Sequence, residues 1–80
     1  MKREDVYKLI DGERDYQDEK WRPEKDTEHS LADWLIFIDR HLFNAKYDIY
    51  MYSYGHAKEE IRKIAALCVA CMEYNDTAKR

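Results

Sequence analysis

The sequence predicts an all-α protein: a single domain over 1–80, built as an antiparallel three-helix unit that assembles with copies of itself. Three observations carry that expectation. Apolar residues recur at spacings of three and four along most of the chain, which is the amphipathic-helix pattern. Helix breakers are scarce, with two glycines and one proline in 80 residues. Hydrophobic residues make up 45% and charged residues 39%, a composition of packed helices and not of a disordered chain.

The first helix is expected over residues 2–20, with Val6, Leu9, Ile10 and Tyr16 at helical spacing and Gly12 as an interior weak point. Trp21-Arg22-Pro23 should end it, because the residue before a proline is pushed out of the helical region. A charged, aperiodic loop then runs to His29. Ser30 with Asp33 resembles a capping box and opens a second helix over 31–52.

That second helix organises the rest. Leu31, Trp34, Leu35, Ile38, Leu42, Ala45 and Ile49 form one stripe, and Ile36, Phe43, Tyr47 and Tyr50 form another on the reverse side. Phe37, Arg40, His41, Asn44 and Asp48 lie between them. A helix that is apolar on two sides needs two sets of partners, so the Ile36–Tyr50 stripe is expected to be buried between copies of the chain. A chain of this size buries only roughly 60–65% of its unfolded surface alone, and self-association would add to a modest core.

Ser53-Tyr54-Gly55-His56 reads as a turn, and a third helix is expected over 57–74. Its inward stripe would be Ala57, Ile61, Ile64, Ala65, Cys68, Cys71 and Met72, with Ala66 and Ala70 permitting close approach on another side. Cys68 and Cys71 have C-x-x-C spacing but sit in an apolar helical run without a second pair, which favours buried free thiols over a zinc or redox site. Asn75 onward reads as a frayed tail.

A net charge of −3 and an isoelectric point near 5.6 argue against a nucleic-acid binder, which needs a basic surplus to replace counterions on phosphate. The longest uncharged runs, 49–57 and 64–72, are too short to span a bilayer, and Met1-Lys2-Arg3 leads into acidic residues. The expectation is a cytoplasmic protein without a membrane partner. His29, His41 and His56 are scattered, and no phosphate loop, nucleophile elbow or metalloprotease motif is present in the sequence.

Glu13-Arg14-x-x-Gln17-x-x-Lys20-Trp21 nevertheless resembles an E-R-x-x-Q-x-x-K-W signature of small phage and prophage proteins in the MazG-like, all-α NTP pyrophosphohydrolase group. His29 followed by Trp34-Leu35 resembles the group's histidine loop and W-L-x-x-x-x-E-E-x-x-E helix. Glu60-Ile61-x-x-x-Ala65-Ala66-x-x-x-Ala70, closed by Glu73, resembles its third helix. The resemblance implies a Mg²⁺ site of carboxylates, since a hard ion bridging phosphates takes oxygen ligands. Here the E-E-x-x-E positions fall on Arg40, His41 and Asn44, and the E-x-x-D pair on Glu60 and Lys63.

Cations standing where the group holds metal imply binding without hydrolysis. On this reading Arg40 and Lys63 neutralise phosphates, Asn44 and His41 assist, Trp21, Phe37 and Tyr47 stack on a base, and no cofactor is needed. The implied function is capture of a nucleotide, serving a phage against host nucleotide signalling in the bacterial cytoplasm. Two alternatives stand beside it. One is a Mg²⁺-dependent pyrophosphohydrolase using Glu60, Asp48 and Asp39. The other is an interaction module whose exposed aromatic stripe docks on a host protein.

Overall fold

A computed structural model describes residues 1–21, 24 and 28–80, and consists of three α-helices: α1 (Arg3–Lys20), α2 (Leu31–Tyr50) and α3 (Tyr54–Tyr74). Among the described residues there is no strand, and no helix is long and apolar enough to cross a membrane. Arg22 and Pro23, expected to stop the first helix, lie outside the described residues, as does part of the loop after them. Trp21 already leaves the helical region at φ −119°, ψ 126° while its N–H still reaches the Gln17 carbonyl at 2.7 Å.

The N-terminus of α2 is capped as the sequence predicts. Ser30 Oγ accepts from the Asp33 N–H at 3.2 Å, and the Asp33 carboxylate accepts from the Ser30 N–H at 2.9 Å. Each orphaned amide so paired is worth about 1 kcal/mol to a helix end.

The turn between α2 and α3 corrects the sequence reading. Tyr54, Gly55 and His56 are the first turn of α3, not a loop, so α3 starts three positions before the expected Ala57. The turn is made by Met51, Tyr52 and Ser53 instead. Ser53 N–H bonds the Asp48 carbonyl at 2.7 Å and Tyr52 N–H bonds the Ile49 carbonyl at 3.1 Å, which is the Schellman pattern. Its left-handed position, usually glycine, is Tyr52 at φ 58°.

α3 is the central element, packing against both α2 and α1. Its most buried residues are Ala66 and Ala70, at 0% and 1% exposure, because small side chains let neighbouring helices approach closely. The predicted inward stripe of α3 is therefore corrected: Ala57 is buried, Ile64, Ala65, Cys68 and Cys71 are half-buried, and Ile61 and Met72 are exposed. The two cysteines are free thiols, and burial, with Cys71 as a second cause, pushes the Cys68 thiol above its ordinary value.

On α2 the inward face is rotated from the predicted stripe. Trp34 and Ala45 are buried and Ile38, Phe37, His41 and Asp48 half-buried, whereas Leu31, Leu35, Leu42 and Ile49 are exposed. α1 departs further. Val6, Leu9 and Tyr16 are exposed, and the buried residues are Glu13 and Arg14. α1 and α2 both pack on α3 but hardly touch one another, which leaves a cleft between them.

Candidate functional site

That cleft is a cavity of about 670 Å³. Its walls are one face of α1 (Glu13, Arg14, Tyr16, Gln17, Lys20, continuing to Trp21), one face of α2 (Trp34, Phe37, Arg40, His41), Lys63 and Leu67 from α3, and His29. The spacings of three and four along each helix are what aim these side chains into one space. The volume falls in the range of small-molecule sites, about 300–1,000 Å³.

The floor is aromatic. Trp34, 2% exposed, meets His29 and Phe37 edge to face at centroid distances of 5.4 and 5.9 Å, and stacks on Tyr74 at 6.5 Å with an interplanar angle of 7°. These contacts hold the rings in fixed orientations.

The walls carry charge in two states. Arg14 is neutralised: it donates to Asp18 at 3.0 Å and Gln17 at 3.3 Å, and lies 3.5 Å from Glu73. Glu13, with its side chain 7% exposed, is held by Arg62 at 2.8 Å. Lys20 and Arg40 form no ion pair among the described residues. Lys20 Nζ instead sits 5.2 Å from the Trp21 ring centroid and 5.9 Å from that of Tyr16, a cation–π arrangement.

Glu60 links α2 to α3 at the cavity's edge. One carboxylate oxygen accepts from His41 Nδ1 at 2.6 Å and the other lies 3.6 Å from Lys63 Nζ. A carboxylate only accepts, so Nδ1 carries the proton and Nε2 is the nitrogen left for other partners.

Of the ligand residues read from the sequence, Trp21, Phe37, Arg40, His41 and Lys63 line this one cavity. Asn44 and Tyr47 do not: Asn44 is exposed and Tyr47, 55% exposed, lies on the outer face of α2. The carboxylates of the hydrolase alternative are not gathered. Asp39 faces outward, Asp48 lies two turns past His41, Glu60 is engaged by His41 and Lys63, and among the described residues no three His, Cys, Asp or Glu come together as a metal site.

Sequence reasoning did not assign Glu13, Arg14, Tyr16, Gln17, Lys20, His29, Trp34 or Leu67 to the site. The signal for the α1 wall was present: Glu13, Gln17, Lys20 and Trp21 recur at three- and four-residue spacing inside the signature that carried the resemblance. No family model, no curated protein and no solved structure matches this chain.

Proposed function

We propose that the chain binds a nucleotide in the α1–α2–α3 cavity without hydrolysing it. One observation carries this reading: Lys20 and Arg40, cations without carboxylate partners among the described residues, flank a cavity of about 670 Å³ whose lining includes the rings of Trp21, Phe37 and Trp34. Unneutralised cations beside flat apolar rings suit a ligand that is anionic at one end and aromatic at the other. Arg40 would grip a phosphate through its guanidinium fork, and Lys63, tethered by Glu60, would add a second cation. Phe37 and Trp21 would stack on the base. The resemblance to phage proteins supplies a setting, removal of a host signalling nucleotide.

The same reading takes the unit to be antiparallel, supported by the short Met51–Ser53 turn between α2 and α3. It also takes the chain to be a homo-oligomer, supported by Ile36 at 64%, Phe43 at 68% and Tyr50 at 79% exposure in one copy.

The test is calorimetric titration of wild type, Arg40→Ala and Lys63→Ala against linear and cyclic nucleotides. Hydrogen bonds to charged groups are worth about 1.5–3 kcal/mol, so each variant should bind roughly 10- to 100-fold more weakly with its helical content unchanged. Equal binding by all three proteins, or none by wild type, refutes the site.

A further inference from the structure

The cavity uses one side of α2 and the contact with α3 another, which leaves a broad outer arc. Leu35, Ile36, Leu42, Phe43, Ile49 and Tyr50 occupy that arc, between 39% and 79% exposed. Side chains of this size, half exposed, offer on the order of 100 Å² each, so with their neighbours Leu31 and Tyr47 the face presents roughly 800 Å², the share one partner contributes to a standard stable interface. Only two charged residues stand in the middle of the arc. They are Asp39 and Lys46, seven positions apart and therefore almost one above the other on the helix, and neither has an ion pair among the described residues.

We infer that this face is a two-fold interface with a second copy of the chain, in which α2 runs antiparallel to the partner's α2 with the axis between Leu42 and Phe43, so that Asp39 meets the partner's Lys46. This rests on the homo-oligomer part of the function proposed above and specifies its geometry. A two-fold axis across antiparallel helices pairs positions equally far on either side of it. Asp39 and Lys46 are equally far from the Leu42–Phe43 midpoint, so each finds its opposite charge, twice per dimer.

The apolar residues agree with that register. Leu42 meets the partner's Phe43, Ile36 the partner's Ile49, and Leu35 the partner's Tyr50. A slip of one turn would place Asp39 and Lys46 against aromatic or aliphatic side chains, burying unpaired charge. A slip that centres the axis on either residue would set like charges together. The charged pair therefore selects one register on a face that apolar contact alone would leave free to slide.

Sedimentation equilibrium over micromolar concentrations tests this on the full chain. Asp39→Lys and Lys46→Asp each set like charges opposite one another, and each should weaken the dimer by at least about 10-fold, because such a juxtaposition costs several kcal/mol. Both positions are exposed in one copy, so circular dichroism of both variants should match wild type. Mixing the two variants should restore a heterodimer, since each then supplies the charge the other lacks. The double variant Asp39→Lys/Lys46→Asp should likewise restore a homodimer. A wild type that stays monomeric overturns both the inference and the homo-oligomer reading, and assigns the face to a different occupant such as a host protein. A wild-type dimer that the single variants form equally well, or that mixing fails to restore, overturns the register alone.

Discussion

Trp34 offers the sharpest test of how the fold is held. Among the described residues it is the only large side chain in the buried apolar set, whose other members are Ala45, Ala57, Ala66 and Ala70. Its Nε1 is buried with no hydrogen-bond partner among the described residues. Two substitutions separate the ring from its N–H. Trp34→Ala removes both and should cost about 3–5 kcal/mol, the usual range for a buried aromatic. At roughly 0.05–0.15 kcal/mol per residue, the whole chain has about 4–12 kcal/mol to lose, so this variant should be partly unfolded.

Trp34→Phe keeps most of the ring. The lost volume, roughly 40 Å³ at about 24 cal/mol per Å³, costs about 1 kcal/mol. Deleting an unsatisfied buried donor returns about 1–3 kcal/mol. The two effects oppose each other, and Trp34→Phe should lie within about 1 kcal/mol of wild type or above it. Urea unfolding followed by far-ultraviolet circular dichroism at a fixed protein concentration measures both. A loss of more than about 2 kcal/mol in Trp34→Phe would refute the argument, because it would mean that the indole N–H contributes to stability.

Tyr52→Gly should raise stability by about 0.5 kcal/mol, or 2–4 °C in Tm, because relief of roughly 1–2 kcal/mol of left-handed strain exceeds the entropy cost of glycine at an 81% exposed position. A lowered Tm would contradict it. Burial raises the Cys68 pKa, so less thiolate is present at pH 8 and alkylation of the folded protein should be slower than that of the urea-unfolded chain, accelerating at higher pH; equal rates would refute this. Glu60→Gln removes the carboxylate that holds Lys63, so a nucleotide binder should keep its affinity or gain several-fold. Mg²⁺-dependent pyrophosphate release at about 1 s⁻¹ that vanishes in this variant would restore the hydrolase reading.

The helices were legible because their signals are local: spacing along the chain, and the Ser30–Asp33 box whose two hydrogen bonds the structure contains. Which arc of each helix faces inward was not. Apolar residues cover more than half of the α2 wheel, so periodicity announces a helix but does not say whether Leu35 or Phe37 faces inward. On α3 the inward residues are the smallest ones, which a hydrophobicity pattern underweights. The start of α3 was missed because Gly55 looks like the turn residue, whereas the left-handed position fell to Tyr52, a residue type with no such signature. Trp21, Arg40, His41 and Lys63 were found through motif positions and Phe37 through its nearness to them, whereas Asn44 and Tyr47 do not line the cavity, Tyr47 lying on the outer face of α2.

The polar attachment of α1 has the largest consequence for function. An apolar helix face docks through burial that any small rotation preserves, but α1 meets α3 through Glu13–Arg62 at 2.8 Å, Gln17 to the Lys63 carbonyl at 3.5 Å and Arg14–Glu73 at 3.5 Å. Such contacts are directional and gain little net free energy, since desolvating each ion offsets most of the attraction. The wall that carries Lys20 and Trp21 is thus docked on α3 less extensively than α2 is, the kind of element that opens at low free-energy cost. In the proposed complex the ligand touches Lys20 and Trp21 on α1, Arg40 and Phe37 on α2, and Lys63 on α3. It therefore supplies the contact between α1 and α2 that the chain itself hardly makes, and binding and closure of the α1 wall become one event. Affinity in such a site depends on how far α1 is already docked as much as on the groups that touch the nucleotide, so substitutions at Glu13 or Arg62 bear on binding from outside the phosphate contacts.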